Sequence, residues 1–444
     1  MPRRVADRVR NVTFVVATSY LFTGRNNTLM SSRTCLLALA LAAATPSIGS
    51  AVDFSYNGFS TAAYSQTDTD KAQVGFSGQP EGIDSGGTTG FDSKLGVQVT
   101  AKFNDVFSAT LQGVAYTDLT GEWEPHLDWA YVRAQVLPSL SARVGLLRTP
   151  MFMFSDSVFI GYSNVWLRAP LEIYNQSPAY QLRGADLNWR GSIGPVAVGL
   201  QPYFGESSVD SVFRDELTGT RTPSTLHATG WTGLVATAEY GSLSLRAAYS
   251  RMKLEDDIAA VQPLIDTLES IPAAFCPGCA DVARQMHFDG TRYRALSLGA
   301  QYNDGANVAI AEFAKRVDNG NIVSADMHGA YVTYGRQFGN LMPYVTTAIH
   351  RVDSPLTSDA IPAVGPLAAL AAGVNQTIGN STDQDSYSIG VRYELPGFSV
   401  VKGALLKVQY DRIEIDAGPG NLNFVQPDFD GSVDMIGMSV DFIF

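Results

Sequence analysis

After Ala51 the chain contains no run of about 18 apolar residues, so no helix in that stretch can cross a bilayer. Linkers are missing too. Across 444 residues there is no Pro/Ser-rich spacer and no low-complexity tract, although the length would suit several soluble domains. Cysteine is scarce: Cys35 sits in the N-terminal segment, and only Cys276 and Cys279 follow it. Five histidines, His126, His227, His287, His328 and His350, are scattered without a nucleophile motif, which weighs against a barrel phospholipase or protease. Positive charge is short as well. The net charge is −12, and it falls to −17 once the six Arg and one Asp of residues 1–51 are set aside. Such acidity argues against nucleic acid and against binding to anionic lipid heads.

What is present is aromatic and small. Tyr and Phe together number 41, Gly also numbers 41, and mean hydropathy is +0.01. Near the N-terminus, Arg33 precedes the apolar run 36–44, Pro46 follows, and Gly49-Ser50-Ala51 offers small residues at cleavage spacing. This layout predicts a signal peptide over 30–51 and a mature domain over 52–444, with residues 1–29 as a misassigned start. At the other end Ile436, Met438, Val440, Phe442 and Phe444 share one parity, with Gly437, Ser439 and Asp441 between them. That is the period of a strand with one apolar and one wet face, and it runs to a terminal aromatic with no polar tail. The ending resembles the last strand of Gram-negative outer-membrane proteins, in which a terminal Phe such as Phe444 serves as an assembly signal.

Sixteen segments read as strands, from 53–65 to 432–444, and the connections between them alternate in length. Tight turns fall at Asn104-Asp105, Pro138-Ser139, Gly194-Pro195, Gly241, Asn303-Asp304-Gly305, Gly339-Asn340 and Leu395-Pro396-Gly397. Long segments fall at 66–89, 150–182, 206–225, 255–290, 353–384 and 417–431, with short ones at 119–122 and 318–321. An all-β transmembrane antiparallel barrel of about 16 strands, with brief periplasmic turns and long outer loops, accounts for this asymmetry.

The stretches DSKLGVQVTAKFNDVFSATLQ and LDWAYVRAQVLPSLSARVGLLRTPMFMFSDSVFIGYSNVWLRAP resemble the proteobacterial general porins. The resemblance implies an outer-membrane channel for small hydrophilic solutes, or a narrower one for an organic acid or phosphate. It implies as partners outer-membrane lipid, lipopolysaccharide and the barrel assembly machinery, and no cofactor. It also implies a third loop, here 150–182, folded back into the lumen. Met151, Phe152, Met153, Phe154, Phe159, Ile160, Val165 and Trp166 suit burial there, or on an outer rim or subunit contact. In trimeric relatives a long second loop latches onto a neighbour. Leu119–Glu122 is too short for that, so a homotrimer would rest on the barrel wall.

Parity places the lumen residues. Ala130, Val132, Ala134 and Val136 face lipid, so Tyr131, Arg133 and Gln135 face in. The same rule turns Arg143, Arg190, Arg246, Glu312, Arg316, Arg392, Glu394, Lys407 and Asp411 inward. A charge facing lipid at mid-bilayer would cost roughly 2–4 kcal/mol. Against this largely basic wall the third loop offers Asp156 and Glu172 beside Arg168, so a transverse field is expected across the constriction. Several of the Arg side chains serve equally well as braces for the loop. In the fifth long loop, CPGC predicts a disulfide between Cys276 and Cys279, since zinc would need two more ligands with only His287 near. Upstream, Ile258, Val261, Leu264, Ile265 and Leu268 predict a short amphipathic helix between Asp257 and Pro272.

Overall fold

The computed structural model describes residues 52–75, 82–117, 121–177, 179–214, 221–379, 383–397, 401–416, 422–423, 425–426 and 428–444. The expected extension 1–29 and signal segment 30–51 lie outside the described residues. Sixteen strands hydrogen-bond in sequence order, each antiparallel to the next, and the last returns to the first. They are β1 Asp53–Thr67, β2 Lys94–Lys102, β3 Phe107–Thr117, β4 Trp123–Leu137, β5 Leu140–Arg148, β6 Gln181–Ile193, β7 Val196–Arg214 and β8 Arg221–Tyr240. The second half comprises β9 Leu243–Leu254, β10 Arg292–Asn303, β11 Asn307–Val317, β12 Met327–Arg336, β13 Leu341–Val352, β14 Gln384–Glu394, β15 Gly403–Ile415 and β16 Ser432–Ile443. Among the described residues no helix is long and apolar enough to cross a membrane, and the strands do so instead.

Alternation within each strand sorts the two faces. Val97, Leu111, Val144, Leu200, Val332, Val345 and Ile436 are exposed on the outside, where lipid rather than water meets them. Exposed aromatics mark both edges of this belt: Tyr56, Tyr240 and Tyr393 near the turns, Tyr249, Tyr387 and Tyr410 toward the loops. Six of the seven tight turns fall at the expected places; the seventh, expected at Leu395-Pro396-Gly397, is a longer connection between Glu394 and Gly403, of which 398–400 lie outside the described residues. At Gly194 (φ 58°) and Gly339 (φ 60°) the backbone takes the left-handed conformation that only glycine adopts without strain. The ladder of β1 with β16 closes the barrel, and Phe444 extends it by one pair. Its amide donates to the Gly58 carbonyl at 3.0 Å, the Gly58 amide donates back at 2.9 Å, and its ring fills the space a Gly58 side chain would need.

Loops between the strands are L1 68–93, L2 118–122, L3 149–180, L4 215–220, L5 255–291, L6 318–326, L7 353–383 and L8 416–431. One expectation is corrected here. Of the long fourth loop expected at 206–225, residues 207–214 and 221–225 are instead ladder, pairing Ser207 with Ala228 and continuing to Arg214 with Arg221 after a bulge, while 215–220 lie outside the described residues. Strands β7 and β8 thus outrun their neighbours by several residues. L6 is longer than 318–321, because β12 starts at Met327. L1 and L8, read from the sequence as long segments, meet in a two-residue ladder of Val74 with Leu422 and Gln73 with Asn423. L5 carries the expected helix (α1, Gln262–Ser270), and a second helix (α2, Cys279–Met286) follows the CPGC turn, in which Cys276 and Cys279 are bonded. Ile258, Ile265 and Leu268 are buried by this pairing, and Gly278 lies flat against the Ala360 carbonyl of L7.

Candidate functional site

L3 leaves β5 at Arg148 and turns into the barrel. Its apolar residues bury Met151, Phe152, Val165 and Trp166 against inward residues of β7–β13, including Tyr203, Trp231 and Tyr331. Trp166 and Tyr331 meet edge to face, their ring centres 5.5 Å apart, and the Trp166 indole donates to Thr333 Oγ1 at 2.8 Å. A loop rich in aromatics is driven from water, and here it packs on the aromatic and aliphatic side chains that the far wall turns into the lumen. The rim and subunit-contact alternatives for this stretch are therefore set aside.

Buried polar groups then fix the path of the loop. Arg246 donates to the Pro150 and Met151 carbonyls at 2.6 and 3.3 Å. Glu312 accepts from the Met153 amide at 2.7 Å, Ser297 at 2.8 Å, Tyr174 at 2.9 Å and Tyr331 at 3.2 Å. Lys407 donates to the Gly161 and Trp166 carbonyls at 2.6 and 2.8 Å and sits 3.4 Å from Asp441. Gly161 admits this approach only because it lacks a side chain: a Cβ there would lie 2.1 Å from Asp441 Oδ1 and 2.6 Å from Thr61 Oγ1. Arg316 closes the far end, donating to the Gln176 carbonyl at 2.6 Å and to Ala325 at 3.2 Å. These braces hold main-chain carbonyls and amides, whose positions no side-chain pattern announces.

The charged residues of L3 divide. Arg168 is buried, forked onto Asp92 and 3.8 Å from Asp411. Glu172 is buried too, accepting from Gln384 at 2.8 Å and Ser386 at 2.5 Å. Neither presents its charge to an open passage, so Glu172 does not oppose the basic wall as expected. Asp156 differs: it is exposed, and the cations acting on it are Arg143, Arg246 and Arg148.

Of the ten side chains expected to line the channel, Arg246, Glu312, Arg316, Lys407 and Asp411 point inward but lie beneath L3 or its partners. Arg133 and Arg190 are exposed to the lumen, Tyr131 is half-buried, and Arg392 lies 3.8 Å from Glu394 and over the Tyr162 ring. Arg133 stands opposite Arg143 in the β4–β5 register. Arg143 is held by Asp186 at 2.5 Å and lies over the Tyr131 ring. Arg133 instead donates to the neutral Gln135. Sequence reasoning passed over the acids that anchor these cations: Asp92, Asp128, Asp186 and Asp441. Asp128, at 2.9 Å from Arg148, hides behind a bulge opposite Gln112 and Gly113 that shifts the parity of β4. Asp441 and Asp186 share the inward parity and were legible in principle.

The sequence matches the Gram-negative porin family over residues 36–418. No curated protein matches it. Among solved structures, outer-membrane expressed OmpT of Vibrio cholerae is similar with a TM-score of 0.50 and 11% identity, over 90% of this chain and 100% of that one. The anion-selective porin from Comamonas acidovorans gives 0.48 and 11% over 89% and 100%, and the DcaP channel of Acinetobacter baumannii 0.48 and 14% over 90% and 99%. At such identities the Vibrio protein speaks for the barrel fold alone, whereas the family match spans most of the chain. The chain belongs to the Gram-negative porin family and forms an outer-membrane channel for passive diffusion.

Proposed function

We propose that solutes pass between the exposed stretch of L3 around Asp156 and the wall of β4–β7, and that the passage prefers small hydrophilic anions. The supporting observation is the division of charge on L3. Its two other titratable acid and base side chains, Arg168 and Glu172, are turned into the wall and hydrogen-bonded there, leaving Asp156 to face the cations. Arg143 and Arg148 are balanced by Asp186 and Asp128. Arg133, exposed to the lumen, has no carboxylate within ion-pair distance among the described residues and leaves the wall a positive surplus, whereas Arg246, beneath L3, has Glu312 as well as Asp156 as acidic neighbours. In a narrow, partly desolvated passage such a surplus acts more strongly than on an open surface. The work is diffusion without bond-making. The polar partners of His227, His287 and His328 are carboxylates, and none of the described histidines hydrogen-bonds a serine. A homotrimer joined through the barrel wall is the assembly we infer, since the five residues of L2 between Thr117 and Trp123 cannot reach across a neighbour.

The test is the reversal potential of the purified protein in planar bilayers under a salt gradient. Anion preference, weakened by Arg133→Gln, supports the reading. Cation preference in the unaltered protein overturns it.

A further inference from the structure

The outer end of the lumen carries more aromatic surface than the passage of simple ions calls for. Phe159 lies on the exposed stretch of L3 and is half-buried, whereas Phe152 and Trp166 of the same loop are enclosed. Tyr116 is 5.4 Å from it, ring centre to ring centre, and Tyr180 is 6.1 Å away, both tilted. His126 stacks on Tyr116 at 4.4 Å. These neighbours are half-buried as well. Tyr116 stands at the loop end of β3, His126 near the loop end of β4, and Tyr180 just before β6. The group therefore sits where a solute arriving from outside first meets this wall.

Two cations lie against the Phe159 ring. Arg148 is 3.9 Å from its centre and is already balanced by Asp128. Lys94 is 5.4 Å from the centre, half-buried, and without a carboxylate within ion-pair distance among the described residues. A ring face attracts an ammonium but does not neutralise it, so the partly desolvated Lys94 still lacks an anion. The same pairing recurs deeper: Arg143 lies over the Tyr131 ring at 5.2 Å, with Arg133 across the ladder. Counting down β5 from Arg148, Arg143 is roughly 16 Å further in at about 3.3 Å per residue. A solute that is only charged would use the cations of this wall and ignore its rings.

We propose that the outer cluster is a docking site for small aromatic carboxylates, the solute ring set against Tyr116 and Phe159 and its carboxylate held by Lys94. This rests on the anion preference argued above and adds which anions gain most from it. An aliphatic carboxylate of similar size meets Lys94 equally well, but it has no ring quadrupole to offer the aromatic edges and faces. A neutral aromatic solute has the ring and lacks the charge. Binding is necessarily weak, since a passive channel must release what it admits.

The experiment records potassium chloride current through the purified protein in planar bilayers at about pH 7, where carboxylic acids are ionised. Benzoate, cyclohexanecarboxylate or benzamide is added, and the concentration that halves the current is read. The proposal expects benzoate to act at a concentration at least about threefold lower than cyclohexanecarboxylate, with benzamide weaker than benzoate. Tyr116→Leu and Phe159→Leu, singly and together, should erode that advantage, and together abolish it. Lys94→Gln should weaken both carboxylates and leave benzoate the stronger. Heat-resistant migration and the noise of the current in chloride alone report whether L3 stays docked; Tyr116→Leu alters only the wall and keeps the test open should Phe159→Leu loosen the loop. Equal potency of the two carboxylates in the unaltered, anion-preferring channel overturns the proposal, and so does a stronger effect of cyclohexanecarboxylate, the mark of a merely apolar patch. A benzoate advantage that survives Tyr116→Leu with L3 docked also overturns it, because the rings would then be braces for the loop alone. Cation preference in the salt gradient would instead remove the reading on which this one rests.

Discussion

Replacing Glu312 with alanine would strip one carboxylate from four donors at once: the Met153 amide and the hydroxyls of Ser297, Tyr174 and Tyr331. The site is 2% exposed, so water does not readily substitute. A buried donor left without a partner costs about 1–3 kcal/mol. Hydroxyls can rotate toward other acceptors, and Tyr174 and Tyr331 can relax toward the space left behind, so the full sum is not reached. A loss of about 3–4 kcal/mol in docking the first turn of L3 is a reasonable expectation, which multiplies the undocked population by roughly 10²–10³. The ladder of β11 is main-chain bonded to β10 and β12 and should persist. Single-channel recording is the assay. Glu312→Ala should give a heat-resistant barrel whose open-channel current is noisier and visits larger conductance levels. Glu312→Gln keeps one good acceptor and should fall between. A Glu312→Ala channel as quiet as the unaltered one would refute the idea that this carboxylate holds the entry of L3.

Other expectations follow from L5 and its covalent closure. His287 Nδ1 meets Asp257 at 2.7 Å and Nε2 meets Glu269 at 3.4 Å, and the bond to Asp257 raises the imidazole above its ordinary 6.5 against a smaller opposing effect of burial. Burial pushes Asp257 up, but the Asp289 amide, His287 and the Phe288 amide outweigh it and bring the carboxyl below its ordinary range. A raised His stabilises the loop below its unfolded value and ceases to do so as pH climbs through the folded one, while a lowered Asp fails only in acid. Protease should therefore cut L5 more slowly at about pH 6 than at about pH 9, and His287→Gln should flatten that difference; faster cutting at the lower pH would contradict the assignment. Cys276 and Cys279 should show no free thiol in the denatured, unreduced protein. Cys276→Ser should leave the barrel heat-resistant, because so short a loop constrains the unfolded chain little.

How much of this was legible depends on whether side chains or main chain did the work. Strand parity announced the barrel, because lipid on one face and water on the other impose a two-residue period on segments such as 432–444. Where the wall rises past the membrane that pressure lapses. The polar Glu206-Ser207-Ser208-Val209-Asp210 has no lipid face to declare, and so the outer part of β7 read as loop although the strand pairs to its end. Parity likewise turned Arg246, Glu312 and Lys407 inward, but not what they hold, since their partners are carbonyls and amides some 90–250 residues away in sequence. Glu172 and Asp156 look alike in the sequence. Only the fold turns one toward Ser386 and leaves the other in the open.

That contrast supplies the most direct test of the constriction. Reversal potentials of Asp156→Asn and Glu172→Gln, measured in the same salt gradient, should separate the two carboxylates. Asp156→Asn is expected to shift the channel clearly further toward anions, while Glu172→Gln, neutralised where no solute reaches, shifts it little. An unchanged potential for Asp156→Asn, or an equal shift for both, would contradict a passage bounded by this part of L3.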